Sequence, residues 1–528
     1  MKNRSFPLSL SLTLILTFLT VTSWAQDPSA IVEFESMDKG MLIPRLANTG
    51  VVSAPATGLL IYDLSVKAFQ YYDGTAWVQI EKAPSSWTEN GTDIFYNMGN
   101  VGIGTNAPLA KLDVSDDALI NGITVGKGNG SDPSNTAVGQ SALFSNNSAS
   151  FGNTAVGQSA LFSNTAGDNN TAIGNSALNN NISGYDNTAM GIHALYSNTT
   201  GYRNIATGVN TLFYNTTGFS NIAIGQFALY QNVAGNNNLA NGFQALYFNT
   251  SGSQNIANGS RALWSNKTGD SNIAIGKEAL YSNTDHSGLV AIGESALYKN
   301  GAGADPLSLT EARANTALGF QALFSNTIGY DNTATGHNAL YSNIDGYNNT
   351  AIGEGALYSN TTGFGNTAHG ASALLLNTTG YGNTAIGSRS LKENTTGYDN
   401  TAVNSFALYS NTTGYNNTSI GYRSLIDNTT GVNNTSLGVQ SLRSNTTGSY
   451  NTALGSFSFL IDSMNINTTT VNSTAIGYGS IIVASHNIRL GNAAVTSIGG
   501  EVAWTASSDA RFKTAVESNV PGLYFVNL

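Results

Sequence analysis

Apolar and polar positions recur every 17 residues from Asn135 to about Ser480, in twenty near-copies of one unit. A copy such as Asn349-Thr-Ala-Ile-Gly-Glu-Gly-Ala-Leu-Tyr-Ser-Asn-Thr-Thr-Gly-Phe-Gly365 runs straight into the next at Asn366. A period of this length means stacked rungs around a continuous core. The pattern predicts an all-β chain: an elongated β-solenoid or β-roll of about twenty rungs over residues 135–480, with a small N-terminal β module.

Numbered from its first Asn, the rung has a fixed grammar. The third position is always small, as in Ala137, Ala351 and Ser436. The fourth is usually Val, Ile or Leu. The fifth is Gly, as in Gly139 and Gly353, with Asn404 as the exception. Asn is the non-Gly residue that best tolerates positive φ, so a corner follows each short strand. The ninth position is Leu, from Leu143 through Leu263 to Leu442, which reads as a buried stripe. The twelfth is Asn, from Asn146 through Asn300 to Asn445, and stacked Asn side chains can hydrogen-bond up and down a column. Thr-Thr-Gly then makes a second corner. The segment between the corners, such as Ala356–Ser359, fits either a strand or a helical turn. With strands about 4.8 Å apart, twenty rungs reach on the order of 100 Å. The extra residues before Asn315, most of them within 301–313, have to loop out of the stack.

Outside the repeats, the pattern divides the chain into a signal peptide (1–25), a small β-rich module (26–82), a connector and N-terminal cap (83–134), a C-terminal cap (481–503) and a tail (504–528). Lys2 and Arg4, the apolar stretch from Leu8 to Val21, and small residues at Ser23 and Ala25 make a secretory leader cleaved between Ala25 and Gln26. That stretch is too short to span a bilayer comfortably. In the module, Ala30–Glu35, Thr57–Asp63 and Phe69–Val78 alternate as strands do, with a turn at Asp73-Gly74. Asn100–Gly104, Lys111–Val114 and His486–Gly491 read as further strand segments.

Composition narrows the function. The 528 residues are 41% hydrophobic and only 10% charged, and cysteine is absent. No disulfide, reactive thiol or lipidated cysteine is available. The formal charge of -10, without a Lys/Arg run, argues against nucleic acid. His193, His286, His337, His369 and His486 occupy different rung phases and have no metal-ligand spacing. Asp186, Asp331 and Asp399 precede rung-start Asn residues, too irregularly for a calcium repeat. No metal or cofactor is expected. Carboxylates are sparse and out of phase, against a glycan-cleaving acid/base pair.

Aromatic residues form two series. Phe144, Tyr196, Tyr230, Tyr247, Trp264, Tyr281, Tyr298, Tyr341, Tyr358 and Tyr409 share the tenth position. Tyr185, Tyr202, Phe219, Tyr330, Tyr347, Phe364, Tyr381, Tyr398 and Tyr415 lie near the sixteenth. Such stripes can stack on glycans or a protein partner, on one another along the rod, or at a subunit seam.

Three resemblances add to this reading. The repeated Asn-Thr-Ala-Ile-Gly element resembles the left-handed β-roll head of trimeric autotransporter adhesins, which implies a homotrimeric surface adhesin with glycan or protein ligands. The 17-residue rung is longer than that family's, and its coiled-coil stalk and membrane anchor have no counterpart here. Lys39–Arg45 and Tyr71–Val78 resemble N-terminal motifs of secreted and tail-fibre-like bacterial proteins. Ser507-Ser-Asp-Ala-Arg-Phe-Lys513 resembles the opening of the endosialidase-type intramolecular chaperone of phage tail spikes. That resemblance implies self-cleavage with Ser508 as nucleophile and Lys513 as its base, a sensible pair where the lysine is desolvated. Only 15 residues follow Lys513, so an inactive, shortened chaperone start is expected. The chain is thus expected to be an exported structural or adhesive fibre and no enzyme. A phage-derived tail fibre processed at its C-terminal motif is the alternative.

Overall fold

The structure is a computed structural model that describes residues 43–80, 87–90, 93–96, 99–147, 150–304, 311–459 and 469–498. The strand expected at 30–35 lies outside these. The chain divides into two units, Met1–Ser115 and Asp116–Leu528, so the break falls inside the segment read as a connector.

The first unit holds a four-stranded sheet of β1 (Arg45–Leu46), β2 (Leu60–Asp63), β3 (Ala68–Tyr72) and β4 (Trp77–Gln79). The Asp73-Gly74 turn joins β3 to β4. The Asp73 carboxylate accepts the backbone N–H groups of Thr75 and Ala76, each at 2.8 Å, and Gly74 takes φ +104°. These bonds hold the Asp73 carboxyl below the usual carboxylate range. Two short pairs follow, β5 (Trp87–Asn90) with β6 (Asp93–Tyr96) and β7 (Val101–Ile103) with β8 (Leu112–Val114).

The second unit is one solenoid. A hairpin of β9 (Ala118–Ile120) and β10 (Ile123–Gly126) opens it, and β10 lies antiparallel on β11 (Thr136–Gly139), covering the first exposed edge. From β11 to β30 (Thr474–Ile476) each rung contributes one short strand, parallel to the next, and β31 (Ile488–Leu490) adds a last one. The register sets like on like: Thr350 faces Thr367, Ala351 faces Ala368 and Ile352 faces His369. Among the described residues β9 pairs only with β10 and β31 only with β30, so the sheet is an open ladder with two ends. At the insertion β20 (Val290–Ile292) pairs directly with β21 (Thr316–Leu318), so the loop leaves the ladder intact.

Each rung has a small, half-polar core. Ala351, Ala356 and Leu357 are fully buried, and so are Asn360 and, within 1%, Asn349. Burying an amide is costly unless it is bonded, and here both amides are. Asn349 Nδ2 donates to Asn332 Oδ1 of the preceding rung at 3.1 Å and to the Gly363 carbonyl at 2.8 Å. Asn360 Nδ2 donates to Asn343 Oδ1 at 2.8 Å and to the same Gly363 carbonyl at 2.9 Å. Two asparagine columns therefore run along the stack and clamp one glycine carbonyl per rung. A side chain at Gly363 would strike Asn360 Oδ1 and the next rung's Gly380 carbonyl. The twelfth-position column follows from the sequence; the first-position column does not, although Asn is as regular there.

The second segment is neither strand nor helix. It is a run of turns in which alternate residues take left-handed backbone: Gly355 at φ +62° and Leu357 at +53°. Every ninth-position Leu does the same, from Leu143 (+50°) to Leu442 (+48°). Left-handed geometry costs a β-carbon residue roughly 1–2 kcal/mol. In exchange the backbone bonds both ways: Gly355 N–H to the His337 carbonyl behind, Leu357 N–H to the Ala373 carbonyl ahead, and Ser359 N–H to the Leu375 carbonyl, at 2.9–3.0 Å. The same conformation swings the Leu side chain into the core. Seryl residues replace core alanines at Ser419, Ser424, Ser436 and Ser441, and these bond to one another instead of standing unpaired, as in Ser419 Oγ to Ser424 Oγ at 2.8 Å.

The corner glycines separate two kinds of requirement. At Gly353 (φ +132°) a Cβ would lie 2.6 Å from the Gly370 carbonyl oxygen of the next rung. At Gly355 it would meet only Leu375 Cδ1, at 3.2 Å. Gly353→Ala should therefore open the stack locally, at a cost of several times the ~1 kcal/mol expected of Gly355→Ala. Hydrogen exchange across residues 349–387 of the two variants checks this, and equal protection in both would contradict it.

Candidate binding surface

The tenth-position rings line one outer edge of the solenoid. Phe213 and Phe324, left out of the tenth-position series read from the sequence, complete an unbroken column of ten rings from Tyr196 to Tyr358. Trp264 and Tyr281 stack with centroids 5.0 Å apart and planes 4° from parallel, and Tyr281 and Tyr298 at 4.9 Å and 3°. Phe144 stacks only on Phe162, because Asn179 interrupts the column. The sixteenth-position rings make two more columns, Tyr185–Tyr202–Phe219 and a run of six from Tyr330 to Tyr415. The spacing is that of the strands, since each ring rides on its own rung. Such pairs are worth about 0.5–1.5 kcal/mol each beyond burial.

This geometry changes what the stripe can offer. Within a column both faces of each ring are taken by its neighbours, so only edges and hydroxyls reach outward. Tyr196, Tyr230, Tyr247, Trp264, Tyr281, Tyr298, Tyr341 and Tyr358 are all half-buried. Burial pushes the Tyr230 and Tyr298 hydroxyls up, so they stay neutral donors in ordinary conditions. A ligand at this edge meets ring edges about 5 Å apart, seven of the ten carrying a hydroxyl, and not open ring faces.

Charged side chains sit beside these columns and pair between rungs or within one. Arg261 bonds Glu278 at 3.3 Å, Lys277 bonds Glu294 at 3.0 Å, and Lys392 bonds Glu393 at 3.2 Å while reaching the Tyr409 hydroxyl at 3.1 Å. Exposed pairs of this kind add little stability. The histidines are dispersed: His193 lies 3.3 Å from Asn210 Oδ1, and His337 stacks on Phe320. Among the described residues no cluster of three or more His, Cys, Asp or Glu could hold a metal, and no helix is long and apolar enough to cross a membrane. Ser508 and Lys513 lie outside the described residues, as does the leader.

His286 marks an irregular joint. It stands where other rungs have the clamped glycine, one rung before the insertion, and is only 3% exposed. Both asparagine columns break here. Leu289 replaces the rung-start Asn, and Asn300 Nδ2 keeps the bond to its own rung, at the Ala312 carbonyl 2.9 Å away, without the one to Asn283 Oδ1. Asn283 Oδ1 and His286 Nδ1 are left buried without hydrogen-bond partners, with the Asp285 carboxylate 3.8 Å from the ring. Burial pushes the His286 pKa below its ordinary 6.5; Arg313 pushes it further down, while Asp285 and Glu311 oppose this.

A model of a protein family, the phage tail like trimerisation region, matches residues 20–93. The match takes in β1 to β5 and stops short of the solenoid. No curated protein matches the chain significantly. The match and the stacked repeat together fit a fibre-like structural protein with tail-fibre affinities.

The folded chain binds fewer protons at His286 than the unfolded chain, so its contribution to stability is complete above pH 6.5 and shrinks as the pH falls through and below that value. Melting temperature should fall between pH 7.5 and 5.5, and His286→Ala should remove much of that fall. An unchanged pH dependence in the variant would assign the effect to other groups.

Proposed function

We propose that this protein is an exported, homotrimeric fibre that presents a repetitive surface to a glycan or protein ligand and performs no catalysis. One observation carries the reading: the in-register stack from β11 to β30, in which every rung presents the same outward positions at one strand spacing. A surface of this kind gains avidity from many equal weak contacts. The trimerisation-region match at residues 20–93 supports three-fold assembly, and the leader read at residues 1–25 supports export. The tyrosine hydroxyls among these ring edges, beside paired charges, support polar ligands met edge-on.

A second reading is favoured by the same match: a tail-fibre-like protein of phage origin, with Ser508 and Lys513 as the remnant of a self-cleaving chaperone. Export from the cell argues against a virion part.

Light scattering of residues 26–528 should give a mass near three chains; a single-chain mass would overturn the trimer. Intact mass followed over several days should stay at full length. Cleavage next to Ser508 that Ser508→Ala abolishes would establish the second reading instead.

A further inference from the structure

Arginine holds the seventh position of the rung at Arg261, Arg389 and Arg423, and its surroundings differ. Arg261 meets a carboxylate in the next rung and pairs with Glu278 at 3.3 Å. Arg389 and Arg423 stand on either side of a rung that carries Phe406 at that position. Their guanidinium carbons lie 5.5 and 5.8 Å from the centre of the Phe406 ring, and Arg423 lies 5.2 Å from the Tyr422 ring. Among the described residues neither guanidinium makes an ion pair or a side-chain hydrogen bond. Two carboxylates on the return segments of these rungs are engaged elsewhere: Glu393 is bonded to Lys392 at 3.2 Å, and the charge acting on Asp427 is that of Arg443. Stacking uses the flat face of a guanidinium and leaves its N–H edge for other partners. Arg389 is exposed, while Arg423 is half-buried with its Nε out of solvent and unbonded. A partly desolvated cation attracts an anion more strongly than one in open water. In a chain of formal charge -10, two unmatched arginines make a local reversal of sign.

The rung between the arginines carries a second departure. Asn404 is the one residue other than glycine at the corner position in all twenty rungs, and it is exposed and held at φ +93°. A conformation that favours glycine is a strained one for asparagine. Its Oδ1 accepts the Ser405 backbone N–H at 2.8 Å, which leaves Nδ2 free as a donor. Ser388, Ser405 and Tyr422 hold the sixth position of the same three rungs. Two cations are thus set among hydroxyls and one amide, the groups that complement a sugar chain bearing acid groups.

We propose that Arg389, Asn404 and Arg423 form a binding site for an acidic polysaccharide, each guanidinium taking one carboxylate of the chain while the Asn404 amide and the hydroxyls meet the sugars between. The inference rests on the ligand-presenting reading of the fibre and names one ligand class and its place. Two rungs separate the arginines, roughly 10 Å at the strand spacing. That interval suits a chain that is acidic at every second sugar. A nucleic-acid strand presents a phosphate about every 3.4 Å, so much of its charge would be left unmatched against an acidic protein. Recognition of an acidic peptide draws on pockets for its alternate side chains, whereas the groups here are short hydroxyls and an amide.

Hyaluronan oligosaccharides, which carry one carboxylate per pair of sugars, are the probe, titrated into the mature chain by calorimetry at low ionic strength. The same oligosaccharides with their carboxyls reduced to alcohols are the neutral comparison. The acidic oligomer should bind, and its affinity should fall about tenfold in Arg389→Ala and in Arg423→Ala, as for the loss of a charge-assisted hydrogen bond. Arg261→Ala removes the same charge at the same rung position and should leave the affinity unchanged. Asn404→Gly restores the glycine that every other rung has, so it keeps the fold, and it should still weaken binding. No binding of the acidic oligomer, equal binding of the reduced one, equal loss in Arg261→Ala, or unchanged affinity in the two arginine variants and Asn404→Gly each overturns the site and leaves the fibre reading standing. Tighter binding of poly-glutamate than of the oligosaccharide overturns the glycan in favour of an acidic peptide. A one-chain mass in light scattering overturns the trimer and leaves the site, which lies within one chain.

Discussion

The glycine carbonyl clamped by two asparagine amides is the interaction on which the rest of the repeat body depends. A rung whose core holds only two alanines and a leucine cannot exclude water by apolar bulk alone. The Asn349 and Asn360 amides fill the remaining section, and each is bonded to its own rung and to the one before. The amide column makes the small core tolerable, and the small core brings the two sides of the rung close enough for both amides to reach one carbonyl. Gly363 has to be glycine because no side chain fits between the columns.

That closeness also accounts for the unusual backbone. A wider solenoid could use three straight strands per turn. Here the return path is compressed into turns, and the leucine at its centre adopts a conformation that leucine avoids in isolation. Each departure is supported by bonds to the rungs on either side, so the geometry belongs to the stack and not to the single copy. The joint at His286 is informative for the same reason. Where one rung loses its glycine and its neighbour loses its asparagine, unpartnered buried atoms appear together with an inserted loop.

Much of this was legible from the period. The 17-residue spacing, the small third residue, the Gly corner and the Leu column lead directly to a stacked β-body, and Asn404 in a glycine place even indicates the sign of its φ, found at +93°. The return segment was not legible, because Ala-Leu-Tyr-Ser has no local pattern that announces left-handed leucine; inter-rung bonds impose it. The rung-start asparagine was visible as a regularity, but its partner is a carbonyl 14 residues on, and that proximity exists only once the rung has closed. The aromatic stripes were visible as positions, but not as columns with their faces occupied; Phe213 and Phe324 share the tenth position and could have been read there by the same count.

Like-on-like register has a consequence for how such a molecule can change. Because every regular copy offers its neighbours the same amides, carbonyls and rings, removing or duplicating one 17-residue unit joins two surfaces that already fit. The only difference is a displacement of everything beyond it by one strand spacing, about 4.8 Å. Length is thereby uncoupled from fold: the body can serve as a ruler whose divisions are added or lost singly, while the irregular joint at residues 286–315 keeps a fixed mark along it.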